Sequence, residues 1–357
     1  MISPKSYSKE WILSQSKRLG NTGPEILEYA LYALSLLEKL SFNKLDFIFK
    51  GGTSLMLHFS EIKRLSTDVD IVCKISREGV EEILTKICSE SIFSRWELDE
   101  ERSYSGKIPK AHYFLYFHSN LFDNERYVLL DVLIEKPDYP EIIDKIIDLP
   151  ILIQDGESTS VRILGINSLL GDKLTAFAPN TIGVTYDSGK HLSMLKQLYD
   201  IDLLIDVATN FPMVSETFKI SAQKEIDYLQ ENIQIGDVYS DILKTSFLLA
   251  SGFLNKLNDK ESIVKYQVFV KGLAALNSFL PGRKRFTRFN VLLAASRSAY
   301  ITSIIQTGKL EEFKLFDNSI QVDDYLFPEK PDNQFNKLSK LPGGVLYYLK
   351  QAYDLTK

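Results

Sequence analysis

An α+β fold is predicted for this chain, a small mixed sheet with helices followed by a C-terminal helical bundle. Three observations predict it. Between residues 46 and 165 the apolar residues come in short runs bounded by turn-formers, as strands do. From 166 onward almost every segment repeats its apolar residues at helical spacing. The first apolar run ends on Lys50-Gly51-Gly52-Thr53-Ser54-Leu55, where a glycine pair lets a strand turn straight into a helix.

Along the chain, residues 8 to 40 carry two amphipathic helical patterns. The second opens after Gly23-Pro24 with Ile26, Leu27, Ala30, Leu31, Ala33, Leu34 and Leu37 on one stripe, and both helices are expected to brace the strands after them. The strand candidates are Phe47 to Phe49, Val69 to Ile75, His112 to Phe117 and Tyr127 to Ile134, with a helix at 78 to 89. The helical part is broken at Pro179-Asn180, Ser188-Gly189, Asn210 to Pro212, Gly236-Asp237 and Pro281-Gly282, and its bundle starts near 210. Residues 308 to 342, rich in Asp, Glu, Pro and Asn, are expected to form an extended arm before a last helix at 343 to 355.

With 357 residues, 45% of them hydrophobic, the chain can build two cores. The expected division is 1–208, carrying the sheet and its bracing helices, and 209–357, a helical domain with a basic face at 251–300. Cys73 and Cys88 have no metal-ligand spacing, so buried thiols in a reducing cytoplasm are expected. The first twenty residues hold Lys5, Lys9, Glu10, Lys17 and Arg18 without an apolar core, and no later window reaches 18 uninterrupted apolar residues. The expected protein is cytoplasmic, neither secreted nor membrane-spanning.

The formal charge is −5, yet residues 251 to 300 alone are +7, leaving −12 on the rest. Such asymmetry gives an acidic protein a local footprint for a phosphate backbone; a solvated helical face is the alternative. Within it, Arg283-Lys284-Arg285-Phe286-Thr287-Arg288-Phe289 sets cations beside rings, which suits a single-stranded RNA end unless the two Phe face the core.

The chemistry concentrates elsewhere. Bare backbone amides at Gly51-Gly52 can approach phosphate oxygens, and the hydroxyls of Thr53 and Ser54 are expected to contact phosphate as well. In Arg64-Leu65-Ser66-Thr67-Asp68-Val69-Asp70-Ile71-Val72, Asp68 and Asp70 alternate with apolar residues, so both carboxylates share one strand face. Two such acids suit a magnesium ion bridging a triphosphate, which makes the combination a nucleotidyltransferase signature. Asp131, an acid inside Val128-Leu129-Leu130-Asp131-Val132-Leu133-Ile134, is expected to join them as third metal ligand and to help deprotonate an acceptor hydroxyl; a core ion pair is the alternative. Lys173, on an otherwise apolar helix face, can grip phosphate as a point charge or snorkel at the core margin. The scattered histidines His58, His112, His118 and His191 argue against zinc, and no G-x-S-x-G turn marks a hydrolase.

Together the Lys50 to Leu55 and Arg64 to Asp70 segments, Asp131, Asp172-Lys173-Leu174 and Gln197-Leu198-Tyr199-Asp200-Ile201-Asp202-Leu203 resemble the AbiE-type (AbiEii/AbiGii) toxin family, in the same order along the chain. The resemblance covers 44 to about 206. It implies a polymerase beta-like nucleotidyltransferase fold and the toxin half of a type IV toxin-antitoxin or phage-defence system. Carried onto this sequence, it implies Gly51, Gly52 and Ser66 near the triphosphate, Arg64 orienting phosphates, Asp68 and Asp70 on magnesium, Lys173 on phosphate, and Asp200 as the acid of the last motif. It further implies NTP as substrate, the tRNA 3′ end as acceptor and an antitoxin encoded nearby. This chain has a longer segment at Pro179 to Ser193 than compact relatives, and Lys196-Gln197 where many members place Arg-Asp, so an ion pair expected there would be missing. The competing readings are an NTP-binding regulator without turnover, and transfer to a protein or small-molecule hydroxyl.

Overall fold

The computed structural model describes residues 1–357 except 104–107, 230, 283, 318, 329 and 330. The chain divides into two compact units, 1–165 with 278–285, and 166–277 with 286–357.

In the first unit α1 (Lys9–Arg18) and α2 (Pro24–Phe42) precede β1 (Phe47–Lys50), which runs directly into the short α3 (Gly51–Ser54). Then come β2 (Val69–Cys73), α4 (Arg77–Glu90), β3 (Phe93–Leu98), α5 (Glu100–Ser103), β4 (Lys110–Ser119), β5 (Asn124–Ile134), β6 (Ile142–Ile146) and β7 (Ser160–Leu164). The seven strands form one sheet in the order β3-β4-β5-β2-β1-β7-β6. The β2/β5 and β1/β7 pairs are parallel and the others antiparallel, so the sheet is mixed as expected.

Alternation decides its two faces. Val69, Ile71 and Cys73 on β2, Val128, Leu130 and Val132 on β5, and Ala111, Tyr113, Leu115 and Phe117 on β4 all enter one core, which α2 shares through Leu27, Leu31 and Leu34. The intervening residues, Asp70 and Asp131 among them, fall on the opposite face. Helix α2 is buried so thoroughly that two of its acids lie inside, and both find donors. Glu28 accepts from Ser119 Oγ at 2.7 Å and Asn120 N at 2.9 Å, while Glu38 accepts from Ile2 N at 2.8 Å. The edge strands β3 and β6 read Phe-Ser-Arg-Trp-Glu-Leu and Ile-Ile-Asp-Lys-Ile, and the charges an edge carries hide them from a search for apolar runs.

The second unit is helical: α6 (Ile166–Thr175), α7 (His191–Ile205), α8 (Phe211–Leu229), α9 (Ile235–Phe253), α10 (Lys260–Ser278), α11 (Arg288–Thr307) and α12 (Val345–Thr356). Helix α11 lies against α7, α9 and α12 and is buried over most of its surface. A capping box of Thr287 and Asn290 starts it, and Gly308 at φ +72° ends it. Helices α6 and α7 pack with each other, α6 also against α8, so the geometric boundary falls at 165 and the one drawn from sequence at 208 lies after α7. Residues 308 to 342 differ from the extended arm expected. Their described residues include 3-10 turns at Leu310–Glu312, Val322–Tyr325 and Asp332–Lys340, and Phe327, Phe335 and Leu338 are buried with Leu346 and Leu349 of α12.

Candidate active site

Strand register builds the centre of the site in the first unit. Lys50 of β1 faces Asp70 of β2, Asp70 faces Asp131 of β5, and Asp131 faces His112 of β4. Four polar residues therefore form one row across four neighbouring strands, on the face away from the core. Asp131 is bonded through Oδ1 to His112 Nδ1 at 2.5 Å, and its Oδ2 lies 3.7 Å from Arg102 Nη2. His112 is 8% exposed. The tight turn closing the β4–β5 hairpin, with Asp123 at φ +52°, fixes the pairing that brings His112 to Asp131. Sequence reasoning passed over His112 as one of four scattered histidines, although that turn carried the signal.

The glycine pair adjoins the row. Gly51 sits at φ +74°, and a Cβ there would overlap the Asp70 carboxylate; a Cβ on Gly52 would overlap the guanidinium of Arg64. Arg64 is 2% exposed and donates to its neighbour's carbonyl, Leu65 O, at 3.1 Å, so it lies beneath the glycine turn. Thr53 and Ser54 are buried, their hydroxyls donating to Asp68 O and Gly51 O respectively. The two hydroxyls expected to contact phosphate donate within the chain in this structure and close the turn from within, because a glycine-opened bend leaves carbonyls that need donors. Ser66 is buried at 4% exposure. Asp68 stands just ahead of β2, with Thr67 Oγ1 at 3.3 Å from its Oδ1.

A magnesium ion carried on a triphosphate needs only one or two protein carboxylates, and the all-oxygen pair of Asp70 and Asp131 fits that requirement. Among the described residues no three acid, imidazole or thiol groups are gathered to hold an ion. Of the three acids expected from sequence, Asp70 and Asp131 are register partners, with Asp131 bonded to His112, and Asp68 stands just ahead of β2. Both thiols are unpaired with each other, and burial pushes Cys73 and Cys88 up to about 11.

In the second unit Lys173 of α6 is 4% exposed and Asp200 of α7 fully buried. Lys173 Nζ lies 3.1 Å from Asp200 Oδ2 and donates to Gln197 Oε1 at 2.9 Å. Lys173 is thus neither snorkelling nor unpaired, and Gln197 supplies an acceptor beside Asp200. The 179–193 segment is pinned by Asp241, which accepts from Asn180 N at 2.7 Å and Thr181 Oγ1 at 2.9 Å. It borders a polar cavity of about 520 Å³ that Lys244 and Lys265 also line.

The basic stretch is less available than its formal charge. Lys284, Arg285 and Arg288 are exposed, although Arg288 Nε donates to Tyr266 OH at 2.9 Å; Arg283 lies outside the described residues. Arg297 is buried against Asp202 and Asp206. Phe286 is buried with its ring 5.3 Å from that of Tyr199, so it is a core residue and not a stacking platform.

A family model described as Nucleotidyl transferase AbiEii toxin, Type IV TA system, matches residues 35–278. No curated protein matches the chain. Solved structures similar to it include an H. pylori protein held to be a nucleotidyltransferase (16% identity, 81% of this chain and 97% of that one, TM-score 0.45) and JHP933 from Helicobacter pylori (15%, 87% and 96%, 0.42). An antigenic nucleotidyltransferase-like protein from Paracoccidioides brasiliensis is similar at 14% identity over 56% of this chain and 88% of that one, with a TM-score of 0.36. No described helix is long and apolar enough to cross a membrane.

Proposed function

The chain belongs to the AbiEii nucleotidyl transferase toxin family of type IV toxin-antitoxin systems, and from that premise we propose that this nucleotidyltransferase moves a nucleotide from an NTP to an RNA acceptor, the tRNA 3′ end, in a magnesium-dependent reaction. The family implies a nucleotide substrate and an antitoxin partner. Our reading adds a cytoplasmic setting, phage defence as the biological use, and an antitoxin encoded beside the toxin.

The observation that carries the chemistry is the register pair of Asp70 and Asp131, with Gly51 making room for the Asp70 carboxylate. In the reaction the acceptor hydroxyl oxygen bonds to the α-phosphorus, the bond to the β-phosphate oxygen breaks, and pyrophosphate leaves. Asp70 and Asp131, with Asp68 beside β2, are the residues that would hold magnesium. When bound, that ion supplies Lewis-acid neutralisation of the triphosphate. The amides of Gly51 and Gly52 bind phosphate oxygens, the bend being held by Thr53, Ser54 and Arg64, with Ser66 close by. Asp131 takes the proton of the acceptor hydroxyl. Lys173 holds phosphate as a point charge oriented by Asp200 and Gln197. On this reading the catalytic half runs from 1 to 208. The half from 209 to 357 carries the basic face, where Arg283, Lys284, Arg285 and Arg288 meet the RNA backbone.

Incubating the protein with each labelled NTP, magnesium and total RNA tests the proposal. Label on RNA of tRNA length supports it, and loss of that label with Asp70→Asn ties it to the row. Label on protein or on a small hydroxyl compound overturns the acceptor, and saturable NTP binding without product overturns transfer to RNA altogether.

A further inference from the structure

His112 closes the polar row on β4, and its backbone is fixed on both sides, the N–H donating to Ser103 Oγ at 2.9 Å and the carbonyl accepting from Asp99 N at 2.8 Å. The side chain is 11% exposed, and its Nδ1 is 2.5 Å from Asp131 Oδ1. An ionised carboxylate only accepts, so Nδ1 is the donor in this bond. The terminal torsion of an aspartate is soft, and a charge-assisted hydrogen bond from a fixed ring removes that freedom. The two oxygens of Asp131 are thereby made unequal. Oδ1 is held by His112, while among the described residues Oδ2 has the half-exposed Arg102 at 3.7 Å, itself steadied by Asp99.

We propose that His112 is a positioning residue: by holding Asp131 Oδ1 it presents Oδ2 to the divalent cation that Asp131 shares with its register partner Asp70, with Arg102 as the group the cation displaces. The inference rests on the reading of Asp70 and Asp131 as cation ligands. Partners that orient a ligating side chain in this way typically change metal affinity about 10- to 100-fold when removed.

The test uses the full chain and inorganic tripolyphosphate, which is independent of base preference, and reads bound Mn2+ by electron paramagnetic resonance. Wild type is expected to bind Mn2+ with tripolyphosphate, and Asp70→Asn to lose it. His112→Leu is expected to bind about 10-fold or more weakly, whereas His112→Asn, which keeps an N–H near the Nδ1 position, stays within about 3-fold of wild type. In the transfer assay His112→Leu should raise the magnesium needed for half-maximal rate and leave the NTP KM at saturating magnesium unchanged. A role confined to packing would move neither quantity and would give no rescue by Asn. Should His112→Leu fail to fold, His112→Gln, whose amide reaches the Nε2 position instead, replaces it with the same expectation. Wild-type Mn2+ affinity in the donor-less variant, with Asp70→Asn still deficient, overturns the role of His112 alone. Equal binding by wild type and Asp70→Asn overturns the cation site itself, and the inference with it.

Discussion

Lys173 Nζ and Asp200 Oδ2 are 3.1 Å apart, with the two side chains 5% and 0% exposed. Removing one partner of a buried pair strands the other charge, at a cost of about 3–5 kcal/mol. Lys173→Ala is therefore expected to lower unfolding free energy by that amount in urea titrations, as well as to lose transfer. The double variant Lys173→Met, Asp200→Leu should recover most of the stability and none of the activity. Recovery of both would remove Lys173 from the reaction.

Asp70 lies on the sheet face away from the core cluster, so Asp70→Asn should leave the unfolding free energy in urea within about 0.5 kcal/mol of wild type. Label transfer to RNA should fall at least about 100-fold, since one of the carboxylates that would hold magnesium at the triphosphate loses its charge. A fall in the midpoint matching the fall in rate would make Asp70 a folding residue instead.

At Gly51 the backbone is left-handed and the Asp70 carboxylate fills the space a side chain would need. Gly51→Ala should cost about 1–2 kcal/mol through the backbone alone and displace the carboxylate besides. Activity should suffer more than thermal stability does. A control, Gly156→Ala, shares the positive φ but has open space around it, so it should show the backbone cost without the loss of transfer.

His58 is largely buried and held at about 4, below its ordinary 6.5, chiefly because burial penalises the imidazolium and secondly because Lys145 repels it. Between those values the unfolded chain binds a proton that the folded chain refuses. Stability is therefore greatest above pH 6.5 and falls on acidification, by about 1.4 kcal/mol per pH unit and about 3 kcal/mol in total by pH 4. Urea unfolding at pH 7, 6 and 5 should show a shallower decline for His58→Gln than for wild type. Parallel declines would assign the acid sensitivity to other groups.

Lys284 and Arg285 are exposed. If both meet RNA phosphates, Lys284→Glu with Arg285→Glu should weaken RNA binding and reduce the slope of log affinity against log salt by about 2. An unchanged slope would return the stretch to an ordinary solvated surface.

Much of this was legible residue by residue, and the illegible remainder depended on pairing between distant segments. Asp131 announced itself as an acid among aliphatics, but its alignment with Asp70 comes from a parallel strand pair with no local signal in either segment. Thr53 and Ser54 look like phosphate ligands because the carbonyls they satisfy become orphaned only once the turn has formed. Formal charge overstated the basic face, since a count cannot see that Arg297 is swallowed by Asp202 and Asp206. The edge strands β3 and β6 escaped because their charges erase the apolar run, while the central β2 and β5, rich in aliphatics, were plain.

Residues 278–285 return to the first unit, where Phe279 O receives the Leu65 amide and the Gly282 amide reaches Leu19 O. Neither half is consequently an uninterrupted stretch of gene. Recombination between relatives cannot swap the sheet-bearing part by a single crossover without stranding that loop, so inheritance should favour exchange of the whole reading frame.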